Sequence, residues 1–148
     1  MADHEDFEVT AFFGLSLDGV EGQSLWKEVS GIEHSHETID ERFCTPDGKQ
    51  WVRKVPGKVN FPNIVLKRGL DSDKGIWDWR NSVSEQPLAD VVKNGTITMY
   101  NHKGDTIAAW SFENAWPVKY SGASFDAGSN SIAMESIEIA HEGLKREQ

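Results

Sequence analysis

The feature that most constrains the fold of this chain is a regular alternation of apolar and polar residues near its start. Six apolar residues occupy every second position there: Phe7, Val9, Ala11, Phe13, Leu15 and Leu17. This two-residue period is that of a strand with one buried face and one solvated face. Segment 7–17 therefore predicts a half-buried β-strand, and with it a sheet that covers a core.

Shorter apolar runs bounded by turn residues predict further strands. They cover 24–32, 59–66, 96–100, 106–112, 115–120 and 131–141. The pattern of 131–141 also fits a helix, and we favour a strand with a bulge near Glu135 and Ser136. Residues 101–105 have the length and composition of a hairpin connection. Pro62 cannot donate a ladder hydrogen bond, so it indicates an edge position or a bulge within 59–66.

Helix signals are few. One helix is predicted where three apolar residues recur at helical spacing after capping candidates at 71–73, namely Ile76, Trp79 and Val83. A second helical turn is predicted within 87–95, with Pro at its start and Asn-Gly as its stop signal. The fold class predicted is therefore mainly β, a small β-barrel or sandwich with one or two short flanking α-helices. Periodicity does not choose between barrel and sandwich.

Size and charge limit the function classes. The 148 residues fit one domain, 1–148, and the formal net charge of -9 opposes binding of the free subunit to nucleic acid or membrane. Cys44 is the only cysteine, so no intrachain disulfide forms, and the acidic first residues are unlike a signal peptide. We expect the chain to be made and folded in the cytoplasm.

The charges are segregated along the chain. Residues 1–41 carry one basic and eleven acidic groups, 42–68 carry seven and one, and 69–148 carry seven and twelve. One interpretation is a set of solvated faces. The other is self-association, in which a basic segment of one subunit docks on an acidic patch of another and sets the register of the contact.

The basic segment overlaps a long polar stretch at about 33–58, which contains the turn signal Thr-Pro-Asp-Gly at 45–48. We interpret this stretch as a loop or extended arm. Its basic residues are the candidate inter-subunit interface: Arg42, Lys49, Arg53, Lys54 and Lys58.

No motif supports catalysis or a cofactor. A glycine-rich phosphate loop, a nucleophile elbow and an HExxH pattern are all missing from the sequence. His34 and His36, with Glu33 or Glu37, are a weak metal-site hypothesis, and His141 is better interpreted as a hydrogen-bonded structural histidine. Six tryptophans either pack the core or form a carbohydrate-binding platform.

Several segments resemble one known family. They are L-K-R-G-L-D-S-D-K-G-I-W-D-W-R-N from Leu66, I-A-A-W-S-F-E-N-A-W-P-V-K-Y-S-G from Ile107, V-S-G-I-E from Val29, V-P-G-K-V-N-F-P-N-I-V-L from Val55 and I-E-I-A-H-E-G-L from Ile137. Taken in their order along the chain, these segments are similar to the tail tube proteins of contractile-tail phages and of phage-tail-like contractile injection systems, which are related to the type VI secretion tube protein.

The resemblance implies a structural protein with no active site and no cofactor. Six-membered rings of such subunits would stack head to tail, a contact that generates open filaments, into a hollow tube. The implied partners are other copies of the chain, a contractile sheath, baseplate or tube-initiator proteins, and DNA or protein cargo in the lumen. A tryptophan-rich carbohydrate-binding module is the alternative, and a metal-dependent enzyme is a distant third.

Overall fold

The structure is a computed structural model that describes residues 10–20, 24–69, 74–122 and 133–148. Within these residues the chain forms ten strands and two helices: β1 Thr10–Leu17, β2 Ser24–Trp26, β3 Glu28–Ser30, β4 Ser35–Cys44, β5 Gln50–Asn60, β6 Ile64–Gly69, α1 Gly75–Glu85, α2 Leu88–Val91, β7 Lys93–Asn101, β8 Thr106–Ser121, β9 Met134–Ala140 and β10 Gly143–Arg146. The predicted mainly β fold class with short helices is confirmed.

Eight strands make one antiparallel sheet, in which seven follow the order β2-β1-β7-β8-β9-β6-β3 and β10 pairs with β8. The strands at the two ends of this path, β2 and β3, are consecutive in sequence and separated only by Lys27, whose N–H donates to the carbonyl oxygen of Lys67 at 2.9 Å. The sheet is therefore curled upon itself without closing into a barrel. We call these eight strands with the two helices the body.

The core lies on the inner face of this curl. On β6 and β9 the buried residues stand opposite each other, Ile64 against Ile139 and Leu66 against Ile137. Burying each such aliphatic side chain stabilises the fold by roughly 1.5–3 kcal/mol. The other buried members come from both helices and from strands throughout the body: Leu15, Leu17, Trp26, Ile76, Trp79, Val91, Ile97, Phe112 and Ala115.

Strand β8 connects the two halves of the sheet. Its first part pairs with β7 and its last part with β9, and the bend between them falls at Asn114, which has a φ of 50°. The Oδ1 atom of Asn94 accepts a hydrogen bond from the Asn114 N–H at 3.0 Å. Segments 106–112 and 115–120, predicted as separate strands, are therefore one bent strand.

The helices confirm the prediction in number and place, but their ends differ. The residue before α1 is Lys74, which makes no side-chain cap, and the capping candidates at 71–73 lie outside the described residues. Helix α2 ends at Val91, so the predicted stop signal is instead part of β7. Gly95 is needed there for packing, because a Cβ atom on it would lie 2.5 Å from Cζ of Phe112.

Two strand predictions were wrong in detail. Segment 24–32 is two strands, β2 and β3, which pair with different neighbours. The bulge predicted at Glu135 and Ser136 is absent from the β6–β9 ladder, and the register shift lies in β8, between Pro117 and Lys119. The bulge was predicted because Ile132 and Met134 share one strand parity and Ile137 and Ile139 the other. Ile132 lies outside the described residues, Met134 is only half-buried, and the core-facing position before Ile137 is occupied by the buried Glu135.

Candidate assembly surface

Strands β4 and β5 form a separate antiparallel sheet, which we call the arm (residues 35–60). Among the strands that the structure describes, these two pair only with each other. The turn between them is closed by the Gly48 N–H, which donates to the Thr45 carbonyl oxygen at 2.9 Å, and Gly48 has a φ of 80°. The segment interpreted as a polar loop or extended arm is thus a β-hairpin with an unpaired edge on each side.

The arm continues from the body as an extension of the β3–β6 pair. β3 leads into β4 through residues 31–34, and β5 leads into β6 through residues 61–63. The strand predicted over 59–66 is therefore interrupted at Pro62, as the missing N–H of proline suggested. We call residues 31–34 and 61–63 the root of the arm.

Charges on the arm are divided between its two strands. Glu41 stands opposite Arg53 and Asp40 opposite Lys54, so acidic groups of β4 face basic groups of β5. No ion pair forms within residues 35–60, all of which the structure describes. The arm carries four acidic and five basic residues and is therefore nearly neutral. The excess of positive charge found for 42–68 does not extend to the whole arm, 35–60.

The five candidate interface residues do not share one surface. Arg53 lies on one face of the hairpin, while Arg42 and Lys54 lie on the other. Lys49 follows the turn, and Lys58 lies in the stretch where the register between the two strands shifts. The structure therefore distributes these positive charges over the arm.

Large apolar side chains on the arm are the feature that the charge analysis missed. In relative exposure they are Ile39 52%, Phe43 47%, Trp51 61%, Val52 58% and Val59 41%. Phe43 stands directly opposite Trp51, and Ile39 opposite Val55, so these pairs share the face that carries Arg53. The alternation of Ile39 and Phe43 around Glu41 was a strand signal in the sequence.

The root of the arm is packed against the body by aromatic rings and by His141. The ring of Phe61 lies 5.6 Å from that of His141 and 6.0 Å from that of His34. His141 places Nε2 3.2 Å from the Pro62 carbonyl oxygen and Nδ1 3.1 Å from the Gly143 carbonyl oxygen. The interpretation of His141 as a hydrogen-bonded structural histidine is confirmed.

A buried polar cluster lies in the body, away from the root. The Nε atom of Arg68 makes a salt bridge with Glu135, and the guanidinium lies 4.4 Å from the centre of the Trp26 ring. The hydroxyl of Tyr120 donates to Oε2 of Glu135, and this hydrogen bond, with burial, raises the pKa of Tyr120 to about 12. Arg68 and Glu135 are register partners, so the cluster fixes how β6 pairs with β9.

The other candidate sites receive no support from the geometry. Among the described residues no three His, Cys, Asp or Glu side chains are grouped to hold a metal ion. The two tryptophans with large exposed surfaces lie on different elements, Trp51 on the arm and Trp77 on α1, where its ring meets the edge of Tyr120. No helix in the described parts of the chain has the length and apolarity to cross a membrane.

The described residues thus form a curled antiparallel body and an apolar hairpin that no other described strand pairs with. The family of the chain follows from its sequence model. The model of the T4-like virus tail tube protein gp19 matches residues 7–145, and the chain belongs to this family. Its members are structural tube proteins, so the chain is a tail tube structural protein and not an enzyme.

Solved structures agree with this assignment. The chain is 27% identical, with a TM-score of 0.76, to a chain of the sheath-tube complex of PVC, an extracellular contractile injection system, and the match covers 97% of this chain and 93% of that one. A chain of the tube-terminating cap of the anti-feeding prophage is 26% identical, with a TM-score of 0.72 and 99% of each chain covered. No protein with a curated description matches the chain.

Solved structures of lower sequence identity share the fold. Hcp1 from Flavobacterium johnsoniae is 16% identical, with a TM-score of 0.54, over 93% of this chain and 95% of that one. The predicted resemblance to tail tube proteins and to the type VI secretion tube protein is confirmed.

Proposed function

We propose that this chain forms hexameric rings that stack head to tail into the hollow inner tube of a contractile tail or injection particle. The tube serves as a conduit for DNA or protein cargo inside a contractile sheath, and it meets a baseplate or tube initiator at one end. Membership in the tail tube family supports this proposal, as does the likeness to a chain of a PVC sheath-tube complex.

The observation that carries the proposal is the exposed apolar surface of the arm. A two-stranded hairpin alone is marginally stable in water, and exposed contiguous apolar patches mark interaction sites. Phe43 and Trp51 pair across the arm, and both remain exposed among the residues that the structure describes. A second copy of the chain is the natural occupant, because a tube needs every subunit to present the same surface to its neighbour.

The charges of the arm set the register of this contact. Acidic β4 and basic β5 each have an unpaired edge, so an arm can meet an oppositely charged strand or patch of a neighbouring subunit. Such complementarity selects orientation more than it adds affinity. We assign Arg53 and Lys54 to this role, together with Arg42, Lys49 and Lys58.

Charge reversal tests the role of the arm. Arg53→Glu with Lys54→Glu is expected to abolish tubes in negative-stain electron microscopy across a concentration series, while circular dichroism reports a folded subunit. Tubes of normal length from this variant would contradict the proposal. Intact tubes that fail to nucleate sheath would assign these residues to the sheath instead. Since the contacts are exposed, tube assembly should weaken with added salt.

A second variant separates docking from folding of the hairpin, because the double reversal also places like charges opposite Glu41 and Asp40. Adding Asp40→Lys and Glu41→Arg restores opposite charges across the ladder. If arms pair with arms, this charge-swapped variant remains complementary to itself and forms tubes. If the arm docks on the body of a neighbour, the swapped arm stays folded but tubes are lost.

A further inference from the structure

His141 makes two contacts that a neutral imidazole cannot satisfy together. Nδ1 lies 3.1 Å from the Gly143 carbonyl oxygen, and Nε2 lies 3.2 Å from the Pro62 carbonyl oxygen. A carbonyl oxygen only accepts hydrogen bonds, and neutral imidazole has one N–H and one lone pair. In either neutral tautomer one ring nitrogen therefore points its lone pair at an oxygen lone pair. The imidazolium donates to both carbonyls.

The two carbonyls belong to different parts of the molecule. Gly143 begins β10 in the body, whereas Pro62 lies in the root between β5 and β6. His141 thus connects the body to the root of the arm. Pro62 supplies no backbone N–H of its own, so its carbonyl is the polar backbone group by which this residue can be held.

Two carboxylates belong to residues next to His141, Glu142 in the chain and Glu113 across the β8–β10 ladder, and two phenyl rings lie near the imidazole. The carboxylate of Glu142 accepts from Nδ2 of Asn114, and an oxygen of Glu113 lies 3.8 Å from the position that a Cβ of Gly143 would take. The ring centres of Phe61 and Phe112 lie 5.6 and 6.3 Å from that of the imidazole, and the ring of His34 lies 6.0 Å from that of Phe61. The negative charges of Glu113 and Glu142 favour a cation on the His141 ring, whereas a positive charge on His34 disfavours it.

We propose that His141 is a proton-dependent anchor of the arm. When the ring is doubly protonated, it holds Pro62 and Gly143 together and fixes the direction of the arm. Loss of one proton from the ring as the pH rises breaks one of the two hydrogen bonds and frees the root. The anchor acts within a single subunit, so it stands whether or not the arm docks as proposed above.

The arm offers a reporter for this motion, since Cys44 is the only cysteine, is exposed and ends β4. A nitroxide attached to Cys44 of the dilute, unassembled subunit is followed by electron paramagnetic resonance from pH 5 to 8. We expect the immobilised spectral component to be lost as the pH rises. His141→Gln should abolish this pH response, whereas the matched control His34→Gln should retain it.

Two outcomes would overturn the anchor: a wild-type spectrum that does not change with pH, or a pH response that survives in His141→Gln. A measurement on the wild-type chain covers the case in which the variant fails to fold. Long-range proton–nitrogen NMR of the His141 ring should find both nitrogens protonated at every pH where the arm is immobile. A single protonated nitrogen under those conditions contradicts the proposal.

Discussion

The body and the arm are both antiparallel sheets, yet large apolar side chains are buried in the body and exposed on the arm. In the body, Ile64, Leu66, Ile137 and Ile139 are fully buried against one another. On the arm, Trp51 and Val52 expose more than half of their side-chain surface. The body therefore has its own core, whereas the apolar residues of the arm are not covered by any layer in the described parts of the chain.

The same contrast appears in the charges. The body buries Arg68 and Glu135 as a salt bridge between register partners. The arm also places opposite charges in register, at Glu41 and Arg53, but leaves them exposed and unpaired. An internal pair fixes the pairing of two strands of one chain, whereas unpaired charges remain available to another chain. The difference separates residues that specify the subunit from residues that specify the assembly.

Two tryptophans give the strongest test of this division. Trp26 is buried in the body and Trp51 is the most exposed large apolar residue of the arm. Trp26→Ala is expected to lower the free energy of unfolding by about 3–5 kcal/mol, because it leaves a cavity in the core. Trp51→Ala should leave that free energy nearly unchanged and suppress tube formation. Urea unfolding and negative-stain microscopy of both variants distinguish these effects.

Equal losses of stability in the two tryptophan variants would show that the arm is part of the folding unit. Loss of tubes only in Trp26→Ala would place the assembly contact outside the exposed face of the arm.

Two arginines give a comparison with a smaller expected effect on stability. The same substitution serves at both positions, since Met approximates the length of the Arg side chain without its charge. Arg68→Met leaves the buried Glu135 carboxylate without its cation, and removing one partner of a buried pair costs about 3 kcal/mol. Arg53→Met changes an exposed position, so its effect on unfolding should stay within about 0.5 kcal/mol. Chemical denaturation of both variants measures the contrast. A combined variant, Arg68→Met with Glu135→Leu, should regain much of the lost stability.

The sequence was most informative where one face of a strand is buried. Alternation in β1 and the hairpin between β7 and β8 were predicted because burial imposes a two-residue period. Prediction failed at Glu135, where a buried carboxylate interrupts the apolar pattern, and its partner Arg68 lies 67 residues away. No local sequence pattern indicates a buried salt bridge between residues so far apart in the chain.

The arm was missed as a sheet for the opposite reason. Its apolar residues alternate with charged ones, but both faces are exposed, so polarity suggested a loop. The basic residues were located by composition alone, whereas their distribution over two faces depends on the β4–β5 register. The family resemblance indicated assembly, yet only the structure identified Phe43 and Trp51 as the uncovered apolar pair.

The smallest expected effect concerns Tyr120, at the edge of the buried cluster. Its hydrogen bond to Glu135 raises the pKa of Tyr120 to about 12, above the ordinary value of 10.0, so the folded state holds the phenol proton more tightly than the unfolded state does. This stabilisation is fully present below about pH 10 and is lost as the pH rises toward 12. Tyr120 is partly exposed, so solvent screens this interaction, and we expect it to contribute about 1 kcal/mol or less.

Tyr120→Phe should therefore lower stability at neutral pH and flatten its decline between pH 10 and 12. Thermal unfolding across this range measures both effects, and Tyr100→Phe, at the other tyrosine of the chain, is the matched control because it keeps the 5.1 Å ring stack with Phe12. The arm contains no tyrosine, so its contribution should not change over this interval through phenol ionisation. If the loss of stability between pH 10 and 12 persists unchanged in Tyr120→Phe, the ionising group lies outside the Arg68–Glu135 cluster. Another residue of the body would then cause the loss of stability at high pH.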